Sequence, residues 1–157
     1  MSVFMQRKNS KLRSIVAISL VTAFCLAGDS MLYIALPLYR HQVGLMSLWE
    51  VGVILSVNRF VRLPLNPLVG MLYTRVPIRI GLIAAVLLTA VATFGYGLLE
   101  GFWPWLVLRC IWGFAWSILK LGGMFSVVAL ADDANRGQVM GIHNGLYRLG
   151  SLVGMLL

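Results

Sequence analysis

Acidic residues are scarce in this chain: five Asp and Glu stand against thirteen Lys and Arg, and charged residues of both signs make up only 11% of its 157 positions. The few carboxylates are scattered, which removes the acid clusters that hold metal ions, and no HExxH, GxSxG or phosphate-binding glycine loop appears. Neither an enzyme, a metal centre nor a cofactor is expected. So little charge, with 60% apolar residues and a mean hydropathy of +0.89, lies far outside soluble composition and marks an integral membrane protein. Cysteine is nearly absent too. Cys25 and Cys110 fall inside apolar runs with no CxxC pair and no Cys/His ligand spacing, so they read as inert packing residues. The net charge of +8 does not imply nucleic acid, because the bases are spread along apolar segments with no basic run interleaved with aromatics.

What the chain has instead is long apolar runs. With about 20 apolar residues needed to cross a bilayer, five spans are expected, at about 14–38, 48–73, 78–99, 104–131 and 137–157, after a basic N-terminal segment at 1–13. The fold class is therefore all-α and polytopic. Pro104 suits the first turn of the fourth helix, where a missing N–H costs nothing. A cleaved signal peptide is disfavoured, since the apolar run after KNSKLR resumes beyond Asp29 and Ser30 as MLYIALPLY. Alternate ends of the spans differ in charge. One end collects Arg7, Lys8, Lys11, Arg13, Arg75, Arg79 and Arg136, and the other has Arg40, so the N-terminus is expected to be cytoplasmic. Trp49, Trp103 and Trp105 then fall near the outer interface.

Asp29, Arg59, Arg62, Arg109, Lys120 and Arg148 lie within the spans, where a charge costs at least about 2.5 kcal/mol on insertion scales. They argue for a polar interior. At roughly 100° per residue, Gly52, Leu55, Arg59, Arg62, Asn66 and Gly70 share one face of the second helix, opposite Ile54, Val57, Val61 and Leu68. Pro64 and Pro67 follow the arginines, and a kink is expected there. On the fourth helix Arg109, Trp112, Trp116 and Lys120 form a stripe about 16 Å long. Two cations flanking two aromatic rings suit a cavity for an anionic or aromatic solute; the plainer alternative is that Lys120 snorkels and the tryptophans pack.

Asp29 carries two readings: a proton carrier, or a counter-ion of Arg59 or Arg109. Glu50 needs no such role, because Ser47 and Glu50 have capping-box spacing. Asp132, Asp133 and Glu100 read as loop residues, and His143 as a packing residue. On the fifth helix Gly137, Gly141 and Gly145 recur every four residues, as do Gly150 and Gly154, which favours close helix contact.

Three stretches resemble motifs of the major facilitator superfamily. Gly70, Arg75 and Arg79, between the second and third helices, resemble that family's loop signature, with Thr74 where the family has an acid and Pro77 where it has a second glycine. Arg109-Cys-Ile-Trp-Gly113 is similar to its arginine-to-glycine motif on the fourth helix. Gly141, Gly150 and Gly154 resemble its antiporter glycine motif, with Met155 in place of the following proline. The resemblance implies two six-helix bundles around a cavity that opens alternately to each side, of which this chain holds helices one to five and lacks the C-terminal bundle. It further implies a secondary transporter of the bacterial inner membrane, with lipid, a small organic solute and protons as partners. In that role Asp29 and Arg109 serve proton coupling, and Gly70, Arg75 and Arg79 serve gating. Arg59, Arg62, Asn66, Trp112, Trp116, Lys120 and Arg148 face the cavity. A different class remains open, a non-transporting five-helix membrane subunit or regulator whose buried charges pair with a partner protein.

Overall fold

The computed structural model describes residues 2–132 and 134–156, with side chains from Lys11 onward. The side chains of Arg7 and Lys8, the loop residue Asp133 and the final Leu157 lie outside the described residues. Among the described residues the chain is all helical, with α1 (Ser2–Tyr39), α2 (Leu48–Leu72), α3 (Ile78–Leu98), α4 (Phe102–Leu130) and α5 (Arg136–Leu156). α1 takes in the basic N-terminal segment, so the helix begins well before its apolar part.

Local chemistry sets the helix starts. The Ser47 hydroxyl accepts the Glu50 N–H at 3.3 Å and the Glu50 carboxylate accepts the Ser47 N–H at 3.0 Å, which is the capping box that their spacing predicts. Pro104 falls in the first turn of α4. α2 passes through Pro64 and Pro67 without a break; each proline removes the donor that the carbonyl four residues earlier would use.

α4 is the axis of the bundle. α2 and α3 pack along it, and α5 packs along α1. At one end the α1–α2 and α3–α4 turns meet, with the Gly101 N–H donating to the Val43 carbonyl at 2.8 Å; Gly44 and Gly101 adopt φ of +76° and +96°, where a side chain would be strained. At the opposite end Lys11 reaches Asp132 at 3.1 Å. There the Tyr73 hydroxyl donates to the Ile118 carbonyl at 2.8 Å. The Tyr73 ring fills a slot left open by Gly81 and Gly122, where any Cβ would collide with it.

The tryptophans divide. Trp49 and Trp103 are each 72% exposed, but Trp105 is 2% exposed, stacked on Tyr96 at 4.8 Å with its indole N–H donated to the Leu99 carbonyl. Trp105 therefore turns into the bundle while Trp103 faces outward, since two residues along a helix carry a side chain to the far face.

The glycines of α5 divide as well. Gly150 and Gly154 press against the backbone of Ala23 and Ala27, so one turn of the longer α1–α5 seam is a small-residue contact. Gly137, Gly141 and Gly145 have nothing within 4 Å of where a Cβ would stand among the described residues. Repeats of four drift around the helix, so the two sets do not share a face.

α1 from Lys11 to Tyr39, α3 and α4 are long and apolar enough to cross a membrane. Large apolar side chains such as Phe24, Phe94 and Leu98, at 86%, 74% and 81% exposure, point outward. α2 and α5 have the length, but their Arg, Asn, Pro and Gly residues lower their mean hydropathy.

The α1–α5 seam makes a contrast testable. Gly154→Ala places a methyl against α1 backbone that cannot move aside, and overpacking of this kind costs about 1–3 kcal/mol. Gly141→Ala meets nothing and gains helix propensity. Thermal unfolding in detergent should show Gly154→Ala losing stability while Gly141→Ala holds or gains it; equal losses would contradict the seam.

Candidate functional site

Four helices contribute to one groove. α1 brings Asp29, Ser30 and Tyr33, spaced to lie along one face over a single turn. α2 brings Arg59 and Arg62, α4 brings Trp116 and Lys120, and α5 brings Tyr147, Arg148 and Ser151. These surround a cavity of about 420 Å³, with Leu26 and Met155 as its apolar edge. A second cavity of about 250 Å³ adjoins it, sharing Arg59, Arg62, Trp116 and Lys120 and adding Leu63 and Asn66. The shared residues form the centre of the groove.

Beneath the groove lies a buried ion pair. Arg109 is fully buried and Asp29 is 5% exposed, and the guanidinium of Arg109 binds the Asp29 carboxylate directly. Of the two arginines considered as partners of Asp29, it is Arg109 rather than Arg59 that binds it. A charge in such surroundings must be paired. Tyr33 joins this pair to the groove, its ring lying 5.5 Å from the guanidinium carbon of Arg109 and 5.7 Å from that of Arg59, both within cation–π range. Arg62 donates its Nε–H to the Asn58 carbonyl at 2.9 Å. That contact fixes the side chain along α2 and leaves its terminal nitrogens toward the groove.

The α4 stripe splits. Trp116 and Lys120 line the groove, whereas Arg109 and Trp112 lie in the interior. Trp112, at 2% exposure, stacks on Trp116 at 5.6 Å with the planes 10° apart. It is a buried residue that backs Trp116 behind the groove. Gly113 abuts Asn58, where a Cβ would crowd the backbone and amide oxygens of that residue, so its role is close approach of α2 to α4. Gly70, Arg75 and Arg79 lie away from the groove at the α2–α3 turn, with both arginines exposed.

Several groove residues escape sequence reasoning. Ser30 and Ser151 hydrogen-bond at 2.7 Å and close one wall by joining α1 to α5. Tyr147 sets its edge against Trp116 at 6.2 Å. Tyr33 had a signal, one turn beyond Asp29 on the same face; Tyr147 and the serines had none. His143 is a packing residue as expected, buried between helices with its Nδ1 2.8 Å from the Ser19 hydroxyl. The same hydroxyl lies 2.7 Å from the Ile15 carbonyl, to which it donates. Among the described residues no three His, Cys, Asp or Glu side chains gather into a metal site.

Electrostatically the groove is one-sided. Arg59, Arg62, Lys120 and Arg148 line it, and the single carboxylate in its wall, Asp29, is committed to Arg109. A groove of this kind can bind an anion by charge and an apolar or aromatic group through Trp116 and Tyr147.

Comparison with known proteins gives the chain a family. The profile of the Major Facilitator Superfamily matches residues 7–157. Similar curated proteins include the "Uncharacterized MFS-type transporter YcaD" of Escherichia coli O45:K1 (strain S88 / ExPEC) and that of Escherichia coli O81 (strain ED1a). Each is 28% identical over 121 residues, covering 77% of this chain and 31% of the relative. The chain thus spans about a third of the length of the curated relatives it matches. No solved structure matches it.

Breaking the ion pair from either side should be costly. Asp29→Leu leaves Arg109 buried and unpaired, and Arg109→Met does the same to Asp29, each costing about 3–5 kcal/mol. The double variant removes both charges and is expected to recover most of the loss. A double-mutant cycle on unfolding in detergent checks this; additive losses would show that the two residues are not coupled.

Proposed function

The chain belongs to the major facilitator superfamily, and from that premise we propose that its groove is one wall of the solute path in a secondary transporter that moves small organic anions. The observation that carries the reading is the set of four groove cations, Arg59, Arg62, Lys120 and Arg148, beside a lone carboxylate already engaged by Arg109. A cavity of about 420 Å³ has the volume of a small-molecule site. The curated relatives are described as transporters, and transport is the reading that uses both the apolar exterior and the charged groove.

In this reading all five helices span the inner membrane of a bacterium. The N-terminus is cytoplasmic, as the gathering of Lys11, Arg13, Arg75, Arg79 and Arg136 at one end of the bundle favours. α2 and α5 belong among the spans because their polar faces turn to the groove and only their apolar faces meet lipid. Gly70, Arg75 and Arg79 act at the cytoplasmic gate. The groove is open on one side, so alternating access requires a facing bundle, supplied by the same polypeptide or by a second one.

Proton coupling runs through the buried pair. Protonation of Asp29 would release Arg109, which is left as a fifth cation beside Tyr33 and the groove, and an anion would then neutralise it. Proton and anion thereby favour each other's binding, as linkage requires.

Two measurements test these proposals. In proteoliposomes the 157-residue chain alone should give no saturable flux of organic anions above protein-free vesicles; saturable flux would overturn the need for a facing bundle. In a form that includes that bundle, anion uptake should rise with an inward proton gradient, and Asp29→Asn should flatten that dependence. An unchanged pH response would remove Asp29 from coupling.

A further inference from the structure

The groove has more than positive charge. It divides into subsites of different chemistry, and their arrangement narrows the solute. We infer that the groove takes an aromatic dianion, a flat ring bearing a doubly charged group such as a phosphate monoester; this rests on the anion reading above.

The charge count is the first argument. Arg59, Arg62 and Lys120 belong to both adjoining cavities, so three cations converge on the place where the cavities meet. Arg62 is held by its Nε–H on the Asn58 carbonyl, which presents its terminal nitrogens as a fixed fork suited to two oxygens of one group. Lys120 adds a point charge from the α4 side. Among the described residues no carboxylate pairs with any of these three. A single negative charge would leave two of these three cations uncompensated, whereas a dianion compensates two of the three and, with three terminal oxygens, offers one to each.

The second argument is the aromatic wall. Trp116 belongs to both cavities as well, so its ring borders the cation cluster directly. It is held in place by Trp112, stacked behind it at 5.6 Å, and by the edge of Tyr147. Trp116 is 5% exposed with Trp112 covering one face, so a small, immobilised part of its ring meets the cavities and can contact a ligand at little conformational cost. Tyr33 cannot serve, because Arg59 and Arg109 already lie against its ring. A ligand with its anionic group on Arg62 and Lys120 therefore carries its ring past the exposed part of Trp116 toward Tyr147.

The same chemistry could arrive as the phosphate of a lipid or as a free solute, and a binding experiment separates the two. The 157-residue chain is placed in nanodiscs of phosphatidylcholine and titrated with phenyl phosphate, benzoate, inorganic phosphate and benzyl alcohol, with tryptophan fluorescence and calorimetry as readouts. Phenyl phosphate is expected to bind roughly tenfold tighter than benzoate, and roughly tenfold tighter than inorganic phosphate, each step being the value of one added charge or one stacked ring. Lys120→Gln, at an exposed position that does not support the fold, should weaken phenyl phosphate toward benzoate. Trp116→Phe should reduce the preference over inorganic phosphate while leaving inorganic phosphate binding in place. Benzoate binding as tightly as phenyl phosphate would overturn the dianion and leave the anion reading intact. Benzyl alcohol binding as well as either anion would overturn both. Loss of phenyl phosphate binding in nanodiscs that also contain phosphatidic acid would assign the subsite to a lipid headgroup and overturn the soluble aromatic solute.

Discussion

The buried contact between Asp29 and Arg109 is the constraint on which the rest of the groove depends. An arginine with no exposed surface in an apolar bundle is tolerable only if an acid reaches it, and Asp29 is the acid that does so. The contact ties α1 to α4 across the middle of the molecule, 80 residues apart in sequence. It also consumes the one carboxylate in the groove wall. Everything electrostatic about the groove follows from that commitment, because Arg59, Arg62, Lys120 and Arg148 are left without an internal counter-charge. Tyr33, lying against Arg109 and Arg59 together, connects the buried pair to the open side.

The apolar contacts are organised by small residues more than by large ones. In a bilayer, burying one apolar side chain against another gains little over leaving it in lipid, so helices associate where their backbones can approach closely. Gly113 admits Asn58, Gly81 and Gly122 admit the ring of Tyr73, and Gly150 and Gly154 admit the backbone of α1 at Ala23 and Ala27. Each contact joins α4 or α5 to another helix. Large side chains such as Phe24, Phe94 and Leu98 are left on the outside, where a soluble protein would not put them.

Much of this was legible before any coordinates. Hydrophobic run length and short charged turns located five helices, the Ser47 and Glu50 spacing located a cap, and the α2 periodicity placed Arg59, Arg62 and Asn66 along one groove. What was not legible depends on which helices meet. Asp29 had two arginines of equal claim, and only the packing of α1 on α4 selects Arg109. A glycine repeat reports that close approach is permitted, not where it happens, so Gly141 and Gly145 looked like Gly150 and Gly154 although only the latter pair finds a partner. The α4 stripe of Arg109, Trp112, Trp116 and Lys120 is a real helical face, but the edge of the groove crosses it between the two tryptophans. Periodicity in one helix cannot reveal where a neighbouring helix ends its cover.

The weak hydropathy of α2 and α5 is the other side of the same arrangement. Taken alone, each has too many polar residues to be held in lipid: Arg59, Arg62, Asn58 and Asn66 in one, Arg148, His143 and Asn144 in the other. Placed in the bundle, His143 is satisfied by Ser19 and Arg59, Arg62, Arg148 and Asn66 border the groove, while the Asn58 amide is buried beside Gly113 with no hydrogen-bond partner of its own among the described residues. The prolines belong to this logic, because they leave the Phe60 and Leu63 carbonyls of α2 without their usual donors, and Leu63 borders the smaller cavity beside Asn66. The stretch NRFVRLPLNP, which reads like a surface turn, is therefore the part of α2 that the groove uses: Arg59, Arg62 and Asn66 border it from a helical backbone that runs unbroken through both prolines.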